Sequence, residues 1–117
     1  MRESTLWLLH ILTAVILVAA VGVHLSTFSS IMGQGFDRGL EWVNVVARGR
    51  NPFYAALYLV FLGAALYHGL YGLRSIILEV TRSPVIARLA SVTLTALGVA
   101  AYLYGAYGVL VSLTLAA

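Results

Sequence analysis

The sequence contains no cysteine and no lysine, and charged residues make up only 9% of its 117 positions. A typical soluble domain has roughly 25% charged residues. The lack of cysteine excludes disulfides, iron–sulfur ligation and thiol catalysis within this chain. The basic residues are all arginine and are scattered along the sequence, so they do not form the basic stripe typical of nucleic-acid binding. Hydrophobic residues account for 62% of the chain, which indicates a membrane protein.

Three long runs contain no Asp, Glu, Lys or Arg: 4–36, 51–73 and 89–117. Each is longer than the roughly 20 residues that a helix needs to cross a bilayer. The runs therefore predict three transmembrane helices. A cleaved signal peptide is an alternative for the first run, but the apolar segment of a signal peptide is usually only ~7–15 residues long.

Capping signals define the predicted helix ends. Asn51-Pro52 and Ser83-Pro84 each supply an N-cap followed by proline at the first helical position. The predicted spans are about 5–31, 52–80 and 84–114, which makes residues 1–117 one all-α membrane domain.

The first span has further candidate end signals. Ser4 or Thr5 is the candidate cap at its start, and Gly33 and Gly35 mark the region where it is expected to end.

The segment FDRGLEWVNVVARGR between the first two spans predicts a short amphipathic helix on the membrane surface, with Asp37 as its cap and Trp42 at the headgroups. Its apolar face would consist of Leu40, Val43, Val46 and Ala47. An ordered loop is the alternative.

Arginine distribution gives a small preference for one orientation. The amino end and the second turn hold Arg2, Arg74, Arg82 and Arg88, whereas the first connection holds Arg38, Arg48 and Arg50. Four against three favours a cytoplasmic amino terminus.

Three histidines lie in the predicted spans: His10, His24 and His68. Ionisable groups inside a membrane are rare and usually face a bundle interior, a cavity or a cofactor. From the helical rise, the depths of His24 and His68 differ by about 14 Å, so they cannot share one iron. The two imidazoles could instead serve two haems stacked across the bilayer, each completed by a histidine from elsewhere. A hydrogen bond to a neighbouring helix is the alternative role for each.

The surroundings of His68 suit a flat ligand. Ala64, Ala65 and Gly72 share its helix face, where they could receive a flat macrocycle, allow close helix packing, or do both. Arg74 lies nearly two turns further in, where it would pair with a haem propionate or quinone oxygen, or extend to the interface as a positive-inside arginine.

His10 shares a helix face with His24 because fourteen residues return to within about 40°. His10 lies near the inner mouth of the bundle, either to reach a propionate or quinone or as an ordinary interfacial residue. The polar residues after His24 would satisfy backbone carbonyls or cap a haem edge: Ser26, Thr27, Ser29 and Ser30. The third span has no charge and no histidine, and its glycines and tyrosines predict a structural role.

The segment YHGLYGLRSIILE resembles the second-helix signature of the membrane anchor subunits of succinate dehydrogenase and fumarate reductase, with His68, Gly72, Arg74 and Glu79 at the signature positions. The resemblance implies that His68 is an axial ligand of the inner b-type haem. GVHLSTFSS resembles the two-haem branch of this family, which implies that His24 binds the outer haem. Two positions differ from the family pattern: Ile11 follows His10 where arginine is common, and Glu79 replaces aspartate.

The resemblance implies a non-catalytic anchor of a succinate:quinone oxidoreductase in the inner membrane of a prokaryote. It implies one or two haem b groups shared with a second anchor chain, quinone as the substrate, and iron–sulfur and flavoprotein partner subunits. A cofactor-free structural subunit of another respiratory complex, or a small transporter, is the alternative. A transporter would normally carry a carboxylate deep in a span, whereas Glu79 lies at a helix end.

Overall fold

The computed structural model describes residues 2–28 and 35–115. Its helices are α1 (Glu3–Phe28), α2 (Phe36–Gly39), α3 (Trp42–Gly49), α4 (Pro52–Val80) and α5 (Pro84–Ser112). Three of them, α1, α4 and α5, are long and apolar enough to cross a membrane, at 26, 29 and 29 residues. The described residues contain no strand, so the predicted all-α class with three candidate membrane spans is confirmed.

The capping residues act as the sequence suggests for two of the three spans. The Asn51 side chain accepts a hydrogen bond from the Phe53 amide at 2.9 Å, and Ser83 accepts a longer one from the Ile86 amide at 3.4 Å. Both helices therefore begin at the predicted residues, Pro52 and Pro84. Helix α4 also ends at residue 80 as predicted, whereas α5 ends at Ser112, two residues earlier than expected.

The first span differs from its prediction. Ser4 and Thr5 lie inside α1, because the Arg2 carbonyl already accepts hydrogen bonds from the amides of Thr5 and Leu6. The helix ends at Phe28, and the predicted end at Gly33 lies outside the described residues.

The described part of the connection between α1 and α4, residues 35–51, forms two short helices rather than one. Asp37 lies in the first turn of α2 and is not its cap; Gly35 takes that position with a φ of 86°, which favours glycine. On the predicted apolar face only Val46 is buried, at 1% exposure, whereas Leu40 and Val43 remain exposed. The short interfacial segment is thus helical, but the folded chain itself covers little of its apolar face.

The long helices form a row with α4 in the middle. Helix α4 packs against both α1 and α5, and over the described residues α1 and α5 do not pack on each other. Small residues lie in these contacts, since Ala20, Ala55 and Ala64 are the buried residues of the row besides Thr27. Small side chains let helix backbones approach closely in lipid. The row leaves much of the surface of α4 open on both sides.

Candidate functional site

Two imidazole rings stack face to face between α1 and α4. The ring centroids of His10 and His68 are 4.1 Å apart, and the ring planes differ by 4°. The Nδ1 atom of His68 lies 3.2 Å from the His10 carbonyl oxygen. A carbonyl can only accept a hydrogen bond, so this contact requires the proton on Nδ1 of His68. In the neutral ring the free lone pair is then on Nε2, which is the nitrogen left for a metal.

The stacked pair does not form a shared metal site. Nitrogen lone pairs lie in the plane of an imidazole ring, so the lone pairs of two parallel rings do not converge on one ion. In the part of the chain that the structure describes, no group of three or more His, Cys, Asp or Glu side chains could hold a metal ion. A cofactor bound here would have to accept a single donor from this chain, as haem iron does from one axial histidine.

The residues expected to form a smooth face beside His68 have separate roles. Ala64 is buried, at 6% exposure, so its small size serves helix packing. Gly72 lies beneath His10, where a methyl group would be 3.5 Å from the His10 Cε1 atom. Ala65, three residues before His68 on the same helix face, is exposed, and a methyl group at the adjoining Gly69 would meet no atom within 4 Å.

His24 lies among aromatic rings on the side of α1 that faces α4. Phe28, Tyr58 and Phe61 have ring centroids within 5.3 to 5.8 Å of its own. The Nδ1 atoms of His24 and His10 are both buried and have no hydrogen-bond partner within residues 2–28 and 35–115. Buried polar atoms without a partner are uncommon in folded proteins and call for an explanation such as a ligand or a partner chain.

His24 and His68 lie at separate levels of the row. His10 is beside His68, and fourteen residues of helix separate His10 from His24 by about 21 Å. Counted along α4, the rings that touch His24 belong to residues seven and ten positions before His68, or about 10–15 Å away. The separation of about 14 Å expected from the sequence lies within the second estimate and below the first.

Arg74 forms a polar cluster that connects all three long helices. Its guanidinium pairs with Glu3 at 3.0 Å and donates to the Ser91 hydroxyl at 2.9 Å. Arg74 is 21% exposed, and Glu3 is 67% exposed. Sequence reasoning did not identify either partner of Arg74, although Glu3 was visible as the only acid before the first charge-free run.

A groove of about 600 Å³ opens beside this cluster, bounded mainly by α4 and α5. Its polar end holds Arg74, Ser91 and Tyr71. Tyr67, which also lines the groove, donates its hydroxyl hydrogen bond to the Leu6 carbonyl at 2.8 Å. The rest of the lining is largely apolar and includes Leu66, Leu70, Leu94, Val99, Tyr102 and Leu103. The groove can therefore take a long apolar molecule with a polar head.

The hydroxyls after His24 serve the backbone. Ser26 donates to the Gly22 carbonyl and Thr27 to the Val23 carbonyl, at 2.7 and 2.9 Å. Of the two roles considered for these residues, satisfying backbone carbonyls is the one observed. Ser29 and Ser30 lie outside the described residues.

Comparison with protein families gives one match. The model of the succinate dehydrogenase/fumarate reductase transmembrane subunit family matches residues 2–106. No curated protein and no solved structure gives a significant match. The matched region contains α1 to α4 entirely and most of α5, and with them all three histidines. The chain therefore belongs to the family of succinate dehydrogenase/fumarate reductase transmembrane subunits.

Proposed function

We propose that the chain is a non-catalytic, haem-binding anchor of a succinate:quinone oxidoreductase in a prokaryotic inner membrane, with a cytoplasmic amino terminus. His68 would provide one axial ligand to an inner b-type haem, and His24 would provide one to an outer haem. The observation that carries this proposal is the hydrogen bond from Nδ1 of His68 to the His10 carbonyl. Histidines that ligate metals almost always donate their other ring N–H to such an acceptor, which fixes the tautomer and the ring orientation.

The residues present fit haem. The hydrogen bond at Nδ1 leaves Nε2 of His68 for iron, and Ala65 on the same helix face is small and exposed. The Nδ1 atom of His24 is buried and has no hydrogen-bond partner among the described residues, so His24 lacks the second-shell bond that supports His68, and its assignment rests on the resemblance in the first helix. When bound, haem supplies reversible one-electron transfer. The chain's own task is to hold the ligands in place and keep water away, since axial ligation and burial set the potential.

A second anchor chain would supply the opposite axial ligands. This chain offers one histidine at the level of His24, and at the level of His68 its second ring, His10, does not converge with His68 on a common ion. The flavoprotein and iron–sulfur subunits would dock at the cytoplasmic face. The anchor would then carry electrons from the iron–sulfur subunit towards quinone without taking part in succinate chemistry.

The groove beside Arg74 is the best candidate within this chain for the quinone site. A guanidinium has five N–H donors, and Arg74 uses three of its nitrogens towards Glu3 and Ser91. The remaining N–H groups could bind a carbonyl oxygen of a quinone head. The apolar length of the groove suits an isoprenoid tail. Arg74 would therefore donate hydrogen bonds to quinone at a site formed by α4 and α5, and Glu3 of α1 would orient the guanidinium.

The test is haem content in the purified complex. His68→Ala should remove one b-type haem, because its axial ligand is lost, while the subunit stays in the membrane. His24→Ala is the matched variant and should remove only the other haem if two are bound. Reduced-minus-oxidised absorption spectra, calibrated against protein concentration, measure both. Full haem content in the His68→Ala complex would refute the ligand assignment, and a wild-type complex without a reduced b-type band would favour the cofactor-free alternatives.

A further inference from the structure

The His10 carbonyl oxygen is shared between two side chains. It accepts the hydrogen bond from Nδ1 of His68 at 3.2 Å and a second one from the Thr13 hydroxyl at 2.9 Å. Within α1 the helical pattern also assigns it the amide of Ala14. A carbonyl oxygen has two lone pairs, so these donors compete for the same electron density.

The His10 ring acts on the same histidine from another direction. It lies parallel to the His68 ring with a centroid distance of 4.1 Å. Tyr71 packs against His10 with a centroid distance of 5.1 Å, and Gly72 leaves space for the ring. His10 thus contacts His68 in two ways: its ring stacks on the His68 ring, and its backbone carbonyl accepts the hydrogen bond from Nδ1 of His68.

We propose that His10 and Thr13 are positioning residues that set the orientation and donor strength of His68 towards haem iron. This inference rests on the proposed role of His68 as an axial ligand. A stronger hydrogen bond at Nδ1 makes an imidazole a better electron donor, and second-shell hydrogen bonding is an established influence on haem potential. The Thr13 hydroxyl also bonds to the His10 carbonyl and so weakens the hydrogen bond from His68. The midpoint potential of the haem is therefore higher than it would be if Thr13 did not bond to this carbonyl.

The decisive variant is Thr13→Val in the intact membrane complex. Valine has a similar shape and no hydroxyl, so the His10 carbonyl becomes a better acceptor for His68. The expected result is a lower midpoint potential of the His68 haem at unchanged haem content, measured by redox titration of the absorption band. Thr13→Ser retains the hydroxyl and should keep the wild-type potential. A Thr13→Val complex with bound haem and wild-type potential would overturn the role of Thr13.

The ring has its own test, and if Thr13→Val does not assemble, Thr13→Ala replaces it for the hydroxyl. His10→Phe keeps a flat ring over His68, whereas His10→Ala removes it. The electron paramagnetic resonance g-values of the His68 haem should be close to wild type in the first variant and shifted or broadened in the second. Identical spectra for His10→Ala and wild type would overturn the positioning role of His10.

Failure of this inference is distinguishable from failure of the proposed function. If His68→Ala retains all haem, the ligand assignment itself is wrong. If His68→Ala loses a haem while Thr13→Val and His10→Ala leave potential and spectrum unchanged, His68 is the ligand and only its control by α1 is refuted.

Discussion

The contact between α4 and α5 depends on glycine at Gly105, which makes a sharp test of the helix row. A methyl group at Gly105 would lie 2.5 Å from the Cδ2 atom of Leu62, whereas carbon atoms pack best at about 3.5–4.0 Å. The substitution Gly105→Ala therefore requires Leu62 or the helix to move by about 1 Å. Overpacking of this kind costs about 1–3 kcal/mol.

Gly108 supplies the matched control one helical turn away, because a methyl group there would meet no atom within 4 Å. Both substitutions gain about the same helix propensity, up to ~1 kcal/mol, so their difference isolates the clash. Because the clashing atom is the end of a flexible leucine side chain, we expect Gly105→Ala to be less stable than Gly108→Ala by about 1 kcal/mol, at the low end of the cost of overpacking. Unfolding of the purified chain from mild detergent by a denaturing detergent, followed by circular dichroism, measures this difference. Equal stability of the two variants would show that the Leu62 side chain is not confined against Gly105 as described.

Two further predictions concern the connections. Asn51→Ala removes the hydrogen bond to the Phe53 amide and should cost about 1 kcal/mol of unfolding free energy in the same detergent titration, whereas Asn51→Asp should keep most of it. Arg48→Met removes a cation–π contact, in which the guanidinium carbon lies 4.7 Å from the Phe28 ring centroid, and a bond to the Gly39 carbonyl. It should raise amide hydrogen exchange in α2 and α3 by roughly tenfold, corresponding to about 1–2 kcal/mol. Arg50→Met, at an exposed arginine, should leave amide hydrogen exchange unchanged. Equal exchange in the two variants would show that the contacts of Arg48 with Phe28 and Gly39 do not stabilise α2 and α3.

The row of three helices leaves the proposed haem and quinone sites open. In a closed bundle α1 and α5 would meet over α4, but the described residues show no packing between them. One open side of α4 presents the groove at Arg74, and Ala65 and Gly69 are exposed beside His68. These open surfaces are where the second anchor chain of the proposed function would have to pack.

Much of the fold was determined by the sequence. The three charge-free runs set the number of candidate spans, because an uncharged run of that length is stable as helix in lipid whatever its neighbours are. Asn51-Pro52 fixed the start of α4, because capping is a local interaction between residues two or three positions apart. The positions of His24 and His68 at different levels also followed from the helical rise alone.

The contacts between helices were decided only by the tertiary structure. Periodicity places His10 and His68 on faces of their helices, but the register of α1 against α4 depends on how small residues such as Ala20 and Ala64 interlock, and no local signal encodes it. The same register brings Glu3 to Arg74. The sequence identified His10 and Arg74 as candidates from their residue types and positions in the spans. The stacking of His10 on His68 and the pairing of Arg74 with Glu3 depend on helix register, so only the tertiary structure shows them.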